Sequence, residues 1–165
     1  MRSSEFPSQT CSVARSLEIV GEWWTLLVIR EAFFGTRRFS DFATHLGIAK
    51  NVLSDRLAKL VEAGVLERKP VVGRGNPLDY ALTPKGKDLF PAIVALMQWG
   101  DRYAVPEAGP AVLLEHRGCG GAVDAHRVCE ACGARLSVRD AQAVPGPGAP
   151  PDHPLLRRAA RSHVA

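Results

Sequence analysis

The sequence lacks any long uninterrupted run of apolar residues. The longest run, Trp23–Ile29, ends at Arg30 and Glu31, and it is far shorter than the roughly 20 apolar residues of a membrane-spanning helix. The first ten residues, MRSSEFPSQT, contain no apolar segment of the kind found in secretory signal peptides. Together these absences predict a cytoplasmic protein with no membrane partner.

The sequence also lacks the patterns that mark many enzymes. It contains no glycine-rich phosphate loop and no pair of side chains with the spacing of a nucleophile and its base. We therefore expect that the protein is not an enzyme. Only four cysteines are present, and in a reducing cytoplasm they favour a metal or redox role over a disulfide framework.

What the sequence does contain is enough apolar material for a core and a modest excess of positive charge. The chain has 165 residues, of which 46% are hydrophobic, and its formal net charge is +4. This length corresponds to one ordinary domain with a small appendage. The charge is compatible with a polyanionic partner such as nucleic acid.

Hydrophobic periodicity predicts a mainly α fold with a small β-hairpin wing, the α+β arrangement of a winged helix-turn-helix. Ser40 is expected to cap the third helix, and Gly47 separates that helix from the fourth. Thr83 and Pro84 open the last helix, which is expected to bend near Pro91. In chain order, the predicted elements are helices over 12–21, 23–34, 41–46 and 50–63, a hairpin over 65–82, and a helix over 84–103.

The helix pair on either side of Gly47 has the pattern of a DNA-reading helix-turn-helix. In its second helix, Leu53, Leu57 and Leu60 form an inward stripe, which leaves a polar and cationic face exposed. Amides and hydroxyls can read base edges, cations contact phosphates, and an arginine at the wing tip can enter the minor groove. An ordinary solvated charged face is the alternative. The predicted DNA-binding residues are Arg37, Arg38, Ser40, Lys50, Asn51, Ser54, Asp55, Arg56, Lys59, Arg74 and Asn76.

The stretch CSVARSLEIVGEWWTLLVIREAFFGTRRFSDFATHLGIAKNVLSDRLAKLVEAGVLERKPV, followed by YALTPKG and a later tryptophan, resembles the HxlR-type winged-helix regulators, relatives of the MarR group. The resemblance implies a bacterial homodimer that binds a pseudo-palindromic operator on the nucleoid, and we expect a repressor. Relatives often carry a hydroxyl residue or proline where this chain has Ala49. Alanine cannot cap the recognition helix, the second helix of the pair. The implied dimer contact uses the first and last helices, with Leu17, Val20, Leu96, Trp99 and Tyr103.

Cys11 lies at the N-terminal edge of the first predicted helix, where the helix dipole and the nearby Arg15 favour a thiolate. Some HxlR-type regulators sense oxidants or electrophiles through a cysteine at this position. The resemblance therefore implies a redox-sensor role for Cys11. The alternative is a small thiol that serves only for packing.

Several aromatic side chains could border a pocket for a small aromatic effector. Packing in the core or at the dimer contact is the alternative interpretation. The candidate effector-pocket residues are Trp23, Trp24, Phe34, Trp99 and Tyr103.

The segments HRGCGG and CEACGA share one form, in which a ligand is followed by two residues, a cysteine and a glycine. His116 with Cys119, and Cys129 with Cys132, would give the four nitrogen and sulfur ligands of a closed, structural zinc site. His126 or Asp124 is the alternative fourth ligand. A unit this small could hardly fold without such a site.

Two alternative functions use the same C-terminal segment. Cys129 and Cys132 could form a redox-active dithiol, although no thioredoxin-like pattern surrounds them. The zinc unit could also serve as a protein-interaction adaptor beside a degenerate winged helix. The predicted domains are a flexible N-terminus over 1–10, the winged-helix and dimerisation domain over 11–103, a linker over 104–112, a zinc-ribbon-like unit over 113–140, and a disordered basic tail over 141–165.

Overall fold

The computed structural model describes residues 11–70 and 78–154, and these fall into two compact units divided between Asp88 and Leu89. The predicted flexible N-terminus, the wing-tip residues Arg74 and Asn76, and the last eleven residues of the predicted tail lie outside the described residues. Within the described ranges, no helix has the length and apolar character needed to cross a bilayer.

The first unit is built from helices around one apolar core, with a two-stranded antiparallel wing. Val28 and Ile29 of the second helix, Phe42 of the third and Leu57 of the fourth are all fully buried in this core. In chain order the elements are α1 (Ser12–Val20), α2 (Trp23–Phe33), α3 (Phe39–Leu46), α4 (Lys50–Glu62), β1 (Leu66–Pro70), β2 (Leu78–Leu82) and α5 (Pro84–Lys87). The predicted helix-turn-helix with a hairpin wing is thus confirmed.

The start of α3 differs from the prediction, because Ser40 is not its cap. The helix begins at Phe39, and the cap position is Arg38, whose side chain makes no capping hydrogen bond. The Arg38 carbonyl already accepts from the backbone N–H of Asp41 at 3.1 Å, so Ser40 lies inside the first turn. Its hydroxyl instead donates to the Asp41 carboxylate at 3.3 Å. The prediction of a Ser40 cap is wrong for this reason.

The wing is held to the helix pair by main-chain and ring contacts. β1 and β2 pair in antiparallel register, with Leu66 opposite Leu82. The backbone N–H of Tyr80 in β2 donates to the carbonyl of Arg37 at 2.9 Å, and the Tyr80 ring packs edge-on against Phe42 of α3. The wing strands therefore have a fixed position beside α3.

The Thr83–Pro84 signature is confirmed as a helix start. The Thr83 hydroxyl oxygen accepts from the Gly86 N–H at 3.1 Å, as an N-cap does. Gly86 is buried there, and a Cβ at this position would collide with the Val65 carbonyl. The predicted single bent helix, however, is two helices, because α5 ends at Lys87 and a separate helix begins two residues after Asp88.

The second unit consists of α6 (Phe90–Tyr103) and an antiparallel pair, β3 (Val112–His116) and β4 (Ala141–Pro145). Isolated bridges link Glu115 of β3 to Ala122, and within the segment that follows β3 they pair Val123 with Cys129 and Val128 with Arg135. α6 groups with this unit, whereas the predicted domain boundary placed it with the winged helix. The prediction of disorder from residue 141 onward is wrong for β4, since all five residues of that strand pair with β3.

Candidate nucleic-acid interface and metal centre

The turn between α3 and α4 presents α4 with one face buried and one face open. Gly47 ends α3 with φ of 61°, in the left-handed region that glycine adopts at little cost. In α4, Leu53, Leu57 and Leu60 are fully buried, as predicted. Ala49 precedes the helix without a side-chain capping bond, also as predicted.

The predicted reading residues at the start of α4 are on its open face. Lys50, Asn51 and Ser54 are all exposed. The first-turn N–H groups and the helix dipole add positive potential at this end of the helix. This part of α4 can therefore present an amine, an amide and a hydroxyl to an anionic partner.

Asp55 lies on the same open face and is paired with two cations of its own helix. Its Oδ2 lies 2.9 Å from Lys59 Nζ and 3.3 Å from Arg56 Nη1. The Asp55 side chain is 51% exposed, so the pair with Lys59 stabilises the helix by only about 0.3–0.5 kcal/mol. The main effect of these contacts is to orient the three side chains.

Arg56 is directed toward α2. Its Nε lies 3.2 Å from Glu22 Oε2, and its side chain is only 18% exposed. The same Glu22 carboxylate caps α2 by accepting from the Thr25 N–H at 3.3 Å. Arg56 thus joins the reading helix to the N-terminus of α2.

Arg37 and Arg38 are exposed in the segment that leads into α3. Arg37 Nη1 donates to the carbonyl of Ala32 at 3.1 Å, which directs this guanidinium toward the end of α2. Ser40 is also exposed. The side chains of Arg74 and Asn76, the remaining predicted DNA contacts, belong to the undescribed wing tip.

A buried polar network between α2 and α3 was missed by the sequence reasoning. Glu31 Oε2 accepts from the Thr36 hydroxyl at 2.9 Å and lies 3.0 Å from His45 Nδ1. Glu31 Oε1 accepts from Arg30 Nη2 at 3.1 Å. The His45 side chain is only 16% exposed. The one signal in the sequence was Glu31 itself, an acidic residue on the otherwise apolar buried face of α2.

Cys11 is exposed and serves as the N-cap of α1, where its sulfur accepts from the Ala14 N–H at 3.4 Å. Arg15, expected to help the thiolate, instead donates to the Glu18 carboxylate at 3.2 Å. The sulfur is therefore open to reagents at a helix N-terminus. Its sensor role remains a prediction.

The predicted effector-pocket aromatics lie on different helices. Trp23, which is 72% exposed, has its ring 5.8 Å from that of Trp24, while Phe34 follows the opposite end of α2 beneath the Arg30 guanidinium. In α6, exposed Trp99 and Tyr103 have ring centroids 5.5 Å apart. The effector pocket stays a prediction.

The four predicted metal ligands converge in the second unit. The ligand atoms of His116, Cys119, Cys129 and Cys132 all lie within 4.8 Å of one another. His116 Nδ1 lies 3.3 Å from the sulfur of Cys119 and 3.3 Å from that of Cys132. A tetrahedral ion with bonds of about 2.0–2.3 Å separates its ligand atoms by roughly 3.5–3.8 Å, so a small relaxation would seat such an ion.

Backbone amides stabilise negative charge at this cluster. Hydrogen bonds from the N–H groups of Cys132 and Ala131 outweigh burial and lower the pKa of Cys129 to about 6. At Cys119 the Gly121 N–H lowers the pKa, but Cys129, burial and Cys132 together raise it above its ordinary value. Deprotonation of this pair therefore begins at Cys129, the buried sulfur.

The alternative fourth ligands have other places in the structure. Asp124 Oδ1 accepts from the backbone N–H groups of His126 at 2.9 Å and Val128 at 2.7 Å. His126 is exposed and is not part of the four-residue cluster. His116 is therefore the histidine that the fold brings to the three cysteines.

Comparison with known proteins gives the same picture. The HxlR-like helix-turn-helix model matches residues 19–108. Two uncharacterized HTH-type transcriptional regulators, from Mycobacterium bovis and Mycobacterium tuberculosis, are each 49% identical to this chain over 137 residues, 83% of this chain and 87% of theirs. The crystal structure of PA1607, a proposed transcription factor, matches with a TM-score of 0.68 and 39% identity, and covers 82% of this chain and 94% of that one.

The similarity to the mycobacterial regulators extends beyond the helix-turn-helix itself, because 137 aligned residues are more than residues 19–108 contain. The family match covers more than half of the chain, and it includes both helices of the pair and both described wing strands. The chain therefore belongs to the HxlR-like helix-turn-helix family.

Proposed function

We propose that the protein is a transcriptional regulator that binds a pseudo-palindromic operator in double-stranded DNA as a homodimer. The observation that carries the proposal is the open polar face of α4, which follows a glycine turn and lies in the same unit as a β-hairpin. Such a helix places its N-terminal half in the major groove, where the base pairs differ in their donors and acceptors. The names of the mycobacterial relatives support the same role.

Exposed apolar side chains support the homodimer. On α6, Leu96 is 53% exposed and Trp99 is 58% exposed, and on α1, Leu17 is 45% exposed. Clusters of large apolar side chains at a surface commonly mark protein–protein contacts. These are the residues through which the resemblance predicts that two copies associate.

The proposal is tested by selecting bound duplexes from a random DNA pool and measuring their affinities by fluorescence anisotropy. We expect an inverted repeat whose half-site centres are about one helical turn apart. Lys50→Ala should weaken binding to all sequences, and the slope of log affinity against log salt concentration should become shallower by about 1. Asn51→Ala should instead relax the preference at one base pair.

Arg135→Ala is the matched control, since it removes an exposed arginine from the second unit. It should leave the selected sequence and its affinity unchanged. A wild-type protein that enriches no sequence would reject the proposal. Transcription in vitro from a promoter that carries the selected sequence then separates the expected repression from activation.

We also propose that His116, Cys119, Cys129 and Cys132 hold a structural zinc ion. The donor set fits, because one nitrogen and three sulfurs form a typical closed zinc site, and amide N–H groups already stabilise thiolate at Cys129. A bound ion would cross-link the His116–Cys119 pair to the Cys129–Cys132 pair and so stabilise the second unit. All four coordination positions of the ion would be filled by protein ligands.

Metal analysis of the purified protein tests this site. We expect one zinc per chain, its loss in a Cys129→Ser, Cys132→Ser variant, and full retention in the Cys11→Ser control. Stoichiometric zinc in the double variant would refute the assignment. A metal-free protein with reversibly oxidised Cys129 and Cys132 would instead favour the thiol–disulfide function.

A further inference from the structure

The most outward side chain in the first half of α4 is a carboxylate. With 3.6 residues per turn, Asp55 is rotated by about 160° from both Leu53 and Leu57, which are fully buried. Asp55 is therefore almost directly opposite the core. Asp55 borders a surface cleft with Glu18 and Ile19 of α1, and its half-exposed side chain can reach the base edges when this face of α4 enters a groove.

The position of this carboxylate is set by its neighbours. Lys59 approaches it at 2.9 Å from one turn later in the helix, and Arg56 approaches it at 3.3 Å. Arg56 Nε in turn lies 3.2 Å from the Glu22 carboxylate. Asp55 thus reaches DNA already oriented, and it partly neutralises the two cations that would otherwise attract any phosphate backbone.

A carboxylate on this face discriminates between sequences through charge. It is repelled by phosphates and by the acceptor atoms of guanine and thymine, and it gains a hydrogen bond only from an exposed base amino group. In the major groove, the amino group of cytosine is the donor that aspartate accepts from. Where the base pair opposite Asp55 presents no amino group to it, the carboxylate meets repulsion with no compensating hydrogen bond.

We propose that Asp55 is a specificity-determining residue that accepts a hydrogen bond from the amino group of one cytosine in each half-site and disfavours non-specific DNA. The inference rests on the proposed function, because it assumes that α4 lies in the major groove.

Parallel selections from a random duplex pool with the wild-type protein, Asp55→Ala and Asp55→Asn test the inference. We expect the wild type to select a C·G pair at one symmetric position of each half-site, and to bind a duplex with that pair exchanged about fivefold or more weakly per half-site. Asp55→Ala should lose this cytosine preference, Asp55→Asn should weaken it or shift it toward adenine, and both variants should keep the remaining positions. Their binding to an unrelated duplex should become several-fold tighter.

Glu62→Gln is the matched control. Glu62 is an exposed carboxylate on the same side of α4, two turns later, so its removal changes the net charge equally. It should retain the C·G preference. If the wild type and the Asp55 variants select the same sequence, this inference is overturned while the proposed function stands. Loss of the C·G preference in Glu62→Gln would overturn it in the same way. A wild-type protein that selects no sequence would overturn the proposed function as well.

Discussion

Glu31 is a carboxylate placed in the apolar interior of the first unit, where it is only 7% exposed. It accepts from Thr36, which is itself fully buried, and lies in contact with His45 of α3. A buried carboxylate is tolerated only when its oxygens have partners, and removal of one partner leaves the others unsatisfied. Glu31 therefore fixes the relative placement of α2 and α3.

We expect Glu31→Ala to lower the free energy of unfolding by about 2–4 kcal/mol, because it removes the buried carboxylate that the Thr36 hydroxyl and the His45 ring share and leaves their own contact at 3.2 Å. Urea unfolding followed by circular dichroism measures the change. Glu62→Ala, at an exposed position, should change it by no more than about 0.5 kcal/mol. Equal effects of the two substitutions would show that the network contributes nothing specific.

Cys11 is the residue at which the predicted oxidant response can be tested. Cys11→Ser replaces the sulfur acceptor at the N-cap with a hydroxyl oxygen, so α1 should remain intact. If Cys11 is the sensor, peroxide should release DNA from the wild type and not from the variant, as measured by fluorescence anisotropy. Release from both proteins would assign the response to the exposed Cys119 or Cys132, or to another target.

Among the elements, those defined by local patterns were predicted and those defined by distant partners were not. The leucine stripe of α4 and the ligand spacing around Cys129 repeat within a few residues, and both are confirmed in position. β4 is short and follows a polar segment, and it becomes a strand only because β3 lies beside it. The sequence shows an acidic residue in the apolar α2 but not its partners, because His45 is 14 residues away from Glu31.

Asp101 in the last turn of α6 makes that helix sensitive to pH. Burial raises the pKa of this carboxyl above its ordinary value, and a negative charge at a helix C-terminus opposes the dipole. Because the folded-state pKa is the higher one, its contribution to stability is present at low pH and is lost as the pH rises through that pKa. At neutral pH the ionised carboxylate therefore destabilises α6.

We expect Asp101→Asn to raise the melting temperature at pH 7, with a difference from the wild type that shrinks as the pH falls below the raised pKa of Asp101. Thermal unfolding between pH 3 and pH 8 provides the measurement. Glu107→Gln removes an exposed carboxylate that follows the same helix and should show no such trend. A difference that is constant over this range would contradict the assignment.

At the scale of the whole molecule, exposed apolar side chains on both units support the proposed homodimer. Leu96, Trp99 and Tyr103 of α6 are each more than half exposed, and on the first unit so are Val13 and Trp23. Contiguous apolar patches commonly mark protein–protein contacts, and the rings of Trp99 and Tyr103 lie 5.5 Å apart on one face of α6. Association of two copies would bury them and would supply two reading helices for one palindromic site.

We expect the wild-type chain of 17.8 kDa to sediment at twice its mass and Leu96→Glu to sediment as a monomer, since a buried carboxylate at the contact would be unpaired. Leu113→Glu, at an exposed leucine of β3, is the control and should remain dimeric. The monomeric variant should bind an isolated half-site as well as the wild-type chain does. Its affinity for the full operator should fall at least about tenfold, because the two DNA-binding units are no longer joined and the second one no longer binds at a raised effective concentration. A wild-type chain that sediments as a monomer would contradict the proposed homodimer.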